Sequence, residues 1–145
     1  MTTKVVERTD LDTWVDALIG TTRVLGVQAR EERFVFEALA CGADLRLDYD
    51  VTILPPKKYF LPPREELLCF DRFKMEFESV MDPEPFVLLG VHPYDMEAIS
   101  QLDELFSRNN RDAHYLARRE NATIVVSDVE TLSPEVFAGC MGTSN

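Results

Sequence analysis

Phe86-Val87-Leu88-Leu89-Gly90-Val91-His92-Pro93-Tyr94-Asp95 is the stretch that sets the fold. Its first six residues carry no polar side chain to turn toward water, the pattern of a strand buried on both faces. His92-Pro93 then opens a helix, with proline at its first position and Asp95 and Glu97 near its positive end. Met96, Ile99, Leu102, Leu105 and Phe106 follow at helical spacing as its buried stripe. A second helical stretch, Asp112 to Glu120, leads into Ala122-Thr123-Ile124-Val125-Val126, another fully apolar strand. Strand, helical crossover, strand is a βαβ unit, so these two strands are expected to lie parallel in one sheet.

Toward the N-terminus the rhythm changes. Thr9 and Asp12 form a capping pair for a short helix in which Leu11, Trp14, Val15 and Leu18 recur until Gly20. Val24, Leu25 and Val27, then Phe34, Val35 and Phe36, are two strands joined by a polar turn. Leu45, Leu47 and Tyr49 alternate with Arg46, Asp48 and Asp50, which predicts a half-buried strand. Pro55, Pro56, Pro62 and Pro63 place four prolines in nine residues, a density that predicts an extended, semi-rigid crossing segment. Leu67 to Phe70 and Arg72 to Phe77 read as a hairpin with Phe73, Met75 and Phe77 on one face, ended by Asp82-Pro83-Glu84-Pro85. Ser133 caps a last helical turn before a glycine-containing tail. The expectation is an α/β fold with α+β elements: a mixed β-sheet with a C-terminal βαβ unit packed by helices, formed by residues 1–145 as a single domain.

Composition narrows the function classes. With 46% hydrophobic residues the chain can fill a core, and no apolar run reaches the ~20 residues of a membrane span. The N-terminus lacks a signal peptide's apolar segment, so a cytoplasmic location is expected. A net charge of −11 repels phosphate backbones and argues against nucleic acid. The charge is uneven: 13 acids against 10 bases up to Arg72, and 13 against 5 from Phe73 onward.

Cys41, Cys69 and Cys140 are scattered, form no CxxC pair and make no four-ligand metal site. Cys41 and Cys69 read as small buried or turn residues, and Cys140 as the most accessible. Signatures for dinucleotide, nucleotide phosphate and serine hydrolase sites are missing. His92 sits where a buried strand turns into a helix, the usual ligand position of an α/β unit, but has no second histidine or cysteine at ligand spacing. His92 with Asp95 in a concave pocket is the minimal catalytic alternative, and His114 reads as a surface residue. The proline segment carries Lys57, Lys58 and Tyr59, with Arg64 just beyond and no acid from Pro55 to Arg64. Such a segment can clamp a partner or an anionic cofactor, or merely cross the core with Tyr59 and Phe60 packed inward.

Pro55-Pro56-Lys57-Lys58-Tyr59-Phe60-Leu61-Pro62-Pro63-Arg64-Glu65, Leu89-Gly90-Val91-His92-Pro93-Tyr94-Asp95, Ala117-Arg118-Arg119-Glu120-Asn121 and Met141-Gly142-Thr143 occur in that order. From about Leu54 onward the chain thereby resembles the iron-sulfur beta subunits of soluble nickel-iron hydrogenases (sulfhydrogenases) and the related iron-sulfur subunit of anaerobic sulfite reductase. The resemblance implies electron transfer: this type of N-terminal domain precedes a ferredoxin-like module holding 4Fe-4S clusters. That module relays electrons between two other subunits, one binding flavin and pyridine nucleotide and one catalytic. It also implies that the chain is the N-terminal module of a longer subunit, a non-catalytic scaffold that docks its neighbours. Tyr94, Val136 and Ala138 stand where such relatives commonly carry cysteine, so no cluster is expected within these residues. The site residues assigned on this reading are Lys57, Lys58, Tyr59 and Arg64 at a partner or redox-module interface, with His92, Tyr94, Arg118 and Arg119 lining a nearby groove. The competing reading is a stand-alone binding or regulatory domain without redox chemistry.

Overall fold

Leu11, Val15 and Leu18 share one helix face, and this face packs on the sheet to begin one of two apolar layers. The computed structural model describes residues 7–81 and 84–130. In it α1 spans Leu11–Ile19, β1 Arg23–Arg30, β2 Arg33–Ala38, β3 Leu68–Asp71, β4 Glu76–Ser79, β5 Phe86–Val91, α2 Pro93–Ser107, α3 Ala113–Glu120 and β6 Ala122–Val126. Thr9 and Asp12 do not form the expected capping pair: Asp10 precedes α1 and makes no side-chain cap bond, because Arg8–Asp10 is already a 3-10 turn.

The main sheet has the order β2-β1-β5-β6, with β1 antiparallel to β2 and parallel to β5, and β5 parallel to β6. The α/β class, the mixed sheet and the C-terminal βαβ unit are therefore as the sequence predicts. All six residues of β5 are buried, because Phe86 and Leu88 face one layer while Val87 and Leu89 face the other. The larger layer joins Leu25, Val27, Phe36, Tyr49, Phe60, Ile99 and Tyr115 under α2 and α3; the smaller joins Val24 and Leu39 under α1. Each fully buried large side chain contributes ~1.5–3 kcal/mol relative to exposure. Strand β6 differs from expectation: as an edge strand it buries only partly. Leu105 also leaves the predicted stripe of α2 and is exposed.

Along residues 45–50 Tyr49 is buried while Arg46 and Asp48 are exposed, but the segment bends at Asp48 and Asp50 and forms no strand. Pairing between β1 and β5 ends at Gly26 with Leu89, and the next β1 carbonyl, Val27, accepts from Arg46 N–H at 2.8 Å. The segment thus makes a backbone bond to β1 beyond the end of the β1–β5 pairing and crosses over, instead of adding a ladder. Gly90 permits that crossing. Its φ is +83°, and a Cβ there would stand 2.8 Å from Leu47 Cδ2.

The proline segment also departs from a purely extended course. Pro56–Tyr59 form a 3-10 turn, since proline is tolerated in a first helical turn, where its missing N–H costs nothing. The hairpin exists, but Arg72 to Met75 are its turn and not strand, so Phe73 and Met75 project at the tip. Met75 adopts φ 55° there. Ser133, Cys140 and the Met141-Gly142-Thr143 landmark lie outside the described residues, as does the Asp82-Pro83 part of the predicted hairpin stop.

Candidate functional site

The turn from β5 into α2 builds the most polar part of the interior. His92 is extended (φ −75°, ψ 153°) ahead of Pro93, which drives its ring back under the chain, where it is fully buried. The imidazole stacks on Tyr49 with centroids 3.9 Å apart and planes 2° from parallel. Tyr49 in turn donates its hydroxyl to the Gly90 carbonyl at 2.7 Å. Tyr94 O–H donates to the Asp50 carbonyl at 2.5 Å, so its oxygen is left to accept from His92 Nδ1 at 2.6 Å. This order of donors fixes the proton on Nδ1 and leaves Nε2 as a bare lone pair. Among the described residues Nε2 has no partner, nor does the buried hydroxyl of Ser127, whose N–H bonds the Val91 carbonyl.

Burial dominates the titration of this cluster. It lowers the His92 pKa to about 4, against a weaker upward pull from Asp50, so the ring is neutral at pH 7. Burial raises the Asp95 carboxyl to about 6, and the charge of Lys57 opposes that rise. Tyr49 and Tyr94 are pushed up, also chiefly by burial. A neutral, stacked imidazole with no exposed surface holds three chain segments together; it is not open to a substrate in this arrangement.

The basic segment divides. Lys58 Nζ and Tyr59 O–H both donate to the Phe36 carbonyl at 2.7 Å, and Ile53 N–H donates to the Phe34 carbonyl at 2.9 Å. Phe34 and Phe36 are i and i+2 on the edge strand β2, so residues 53–59 cover an edge that would otherwise offer open backbone acceptors. Burial lowers the Lys58 pKa and pushes Tyr59 up to about 12. Phe60 is fully buried against Phe86 and Tyr115. Of the four assigned interface residues, Lys57 and Arg64 are left exposed, while Lys58 and Tyr59 are half-buried in structural bonds.

The assigned groove is not one place. His92 and Tyr94 lie at the carboxyl end of β5, whereas Arg118 and Arg119 occupy the last turn of α3, just before Ala122 pairs with Phe86 at the amino end. The helical crossover carries the two pairs to opposite ends of the same strand. Arg118 donates to the Phe60 carbonyl at 2.9 Å and pairs with Glu65 at 2.6 Å. Arg119 forks onto Asp103 at 3.0 and 3.1 Å, and Tyr115 O–H reaches the same carboxylate at 2.7 Å. Arg118 also lines a depression of about 190 Å³ with Glu65, Val80, His114 and Ala117. His114 is half-buried and not a free surface group: its Nε2 lies 3.1 Å from the Val80 carbonyl, tying α3 to the base of the hairpin.

Cys41 and Cys69 are both exposed and sit on separate segments, Cys69 within β3. Cys69 is therefore not the buried residue its apolar context predicted, whereas Cys41 stands at a turn, directly before the 3-10 turn Gly42–Asp44. Among the described residues no three His, Cys, Asp or Glu side chains converge as metal ligands, so the thiols present do not fit a cluster there.

The sheet order, the two covering helical layers and the enclosed strand-to-helix turn define a mixed-sheet α/β domain. Among known proteins the likeness is specific: over 103 residues, 71% of this chain, it is 41% identical to sulfhydrogenase 2 subunit beta of Pyrococcus furiosus. Over that stretch the chain is similar to hydrogenase-like beta subunits. The matched stretch covers 30% of that relative's own length. No family model matches the chain, and no solved structure matches it.

Proposed function

We propose that this chain is the N-terminal, non-catalytic scaffold of an iron-sulfur electron-transfer subunit in a hydrogenase-like or sulfite-reductase-like oxidoreductase complex. The carrying observation is the 41% identity to a sulfhydrogenase beta subunit. The enclosure of His92, the group best suited to acid–base work at neutral pH, supports a role in holding and docking over one in chemistry. Its partners are a catalytic subunit plus one that binds flavin and pyridine nucleotide, in the cytoplasm; among the described residues no helix is long and apolar enough to cross a membrane. The 4Fe-4S clusters belong to a ferredoxin-like module downstream. Lys57 and Arg64, exposed beside the covered edge, remain available to meet that module.

Affinity purification of the tagged protein from its own host under anaerobic conditions tests this reading. A complex containing both a catalytic oxidoreductase and a flavoprotein is expected, and deletion of the gene should abolish the complex's dye reduction. A protein that purifies alone, with dye reduction unchanged in the deletion strain, overturns it. The isolated 145-residue chain should also be free of stoichiometric iron, and a brown preparation would refute the placement of the clusters outside it.

A further inference from the structure

The β3–β4 hairpin is built to display apolar side chains. Phe70 pairs with Phe77 and Leu68 with Ser79, so these alternate positions form one face, while Cys69, Asp71, Glu76 and Glu78 form the other. Leu68 is 62% exposed, Phe77 72% and Phe73 at the tip fully exposed. The tip is nonetheless ordered. The Asp71 carboxylate accepts from Phe73 N–H at 2.8 Å and Lys74 N–H at 3.2 Å, and Lys74 Nζ stands 3.7 Å from the same carboxylate. At the other end, Val80 N–H continues the ladder to the Leu67 carbonyl, and His114 holds Val80 against α3. An anchored base and a fixed turn hold out an aromatic ring whose ordering gains nothing within the described residues. Such a ring loses little entropy when a partner takes it up.

We propose that this hairpin is a protein-docking surface, with Phe73 as its anchor, for a neighbouring subunit that offers an apolar pocket rimmed by lysine and arginine. Charge selects that occupant. From Glu65 to Ser79 there are five acids and two bases, and Asp71, Glu76 and Glu78 lie on the back of the same two-stranded ribbon, so the whole hairpin carries negative charge to its partner. A second copy of the chain, itself at −11, is repelled, as is an anionic lipid surface. The identity of the neighbour as a subunit of an oxidoreductase complex rests on the function proposed above; the surface and its chemistry do not.

The test is photo-crosslinking in the native host with Phe73→p-benzoylphenylalanine in the full-length protein, followed by mapping of the joined peptide and binding measurements on the purified pair. The expected adduct is a peptide of another subunit with apolar residues flanked by lysine or arginine. Phe73→Ser should then weaken binding on the order of 30-fold, the loss of one buried aromatic anchor. Glu76→Lys with Glu78→Lys should slow association and reduce its salt dependence. An adduct to a second copy, an adduct to lipid, or an intact complex unaffected by Phe73→Ser overturns the proposal. If the complex survives Phe73→Ser but is lost in Lys57→Glu with Arg64→Glu, the hairpin assignment fails and the electron-transfer reading stands. An anchored, basic-rimmed contact on a protein of an unrelated assembly supports the surface and overturns that reading instead.

Discussion

Strand β5 and the β3–β4 hairpin are both rich in apolar residues, yet β5 is buried along its whole length while the hairpin exposes every residue from Leu68 to Phe70 and from Glu76 to Ser79. The difference lies in what the chain does next. β5 runs into α2 and α3, whose return brings β6 alongside and lays Ile99 and Tyr115 over one face, while α1 brings Val15 to the other. The hairpin turns back on itself after four residues and receives no covering helix among those described. Apolar content becomes burial only where connectivity supplies a second layer.

The largest expected effect lies at the most enclosed point of the sheet. Tyr49→Ala removes the ring stacked on His92 and the bond to the Gly90 carbonyl, and should cost about 3–5 kcal/mol in urea denaturation. Tyr49→Phe, which keeps the ring, should cost only ~1–2 kcal/mol. A Tyr49→Ala loss below about 1 kcal/mol would place this region with the hairpin energetically and undo the contrast.

What the sequence makes legible follows the same division. The run from Phe86 to Val91 and the spacing through Ile99 specify a buried strand and its crossover, because both periods are local and strong. Residues 45–50 show the limit. Their alternation reports a wet side and a dry side, but whether a half-buried segment joins a ladder depends on where the pairing of β1 with β5 ends, at Gly26 and Leu89, just before Gly90 takes its positive φ. The separation of His92 from Arg118 follows once the βαβ unit is recognised, since the crossover returns to the opposite end of the strand. Lys58 is not separable from Lys57 by residue type; only the position of the Phe36 carbonyl distinguishes them. The display of Phe73 likewise escapes a reading by alternation, which treats a turn position as strand.

A second, smaller effect sharpens the contrast through pH. The folded His92 pKa, about 4, lies below its unfolded 6.5, so acid favours the unfolded state and this contribution is lost as pH falls from 6.5 toward 4. Asp95 runs the other way: its folded pKa of about 6 exceeds the unfolded 3.8, so stability lost above pH 6 returns as pH falls. The two windows overlap, and the wild-type slope from this end of β5 should be shallow. Asp95→Asn removes the counterweight, and its urea midpoint should fall steadily between pH 6.5 and 4. An Asp95→Asn profile parallel to the wild type would show that Asp95 titrates alike in the folded and unfolded chain, and a variant midpoint that stays level from pH 6.5 to 4 would show that the His92 ring is solvated.

The smallest expected effect is at the hairpin tip. Phe73 meets water in the folded and unfolded chain alike, so Phe73→Ser has no transfer free energy to lose, and stability should stay within about 0.5 kcal/mol of wild type. Phe77 is different in one respect: its ring lies 4.9 Å from Phe70 across the hairpin, a pair that contributes roughly 0.5–1 kcal/mol. Phe77→Ala should therefore destabilise slightly more than Phe73→Ser, and both far less than Tyr49→Ala. If Phe73→Ser lowers stability by more than about 1 kcal/mol in the isolated chain, Phe73 must pack against this chain itself, and the hairpin would be core that has found its own cover.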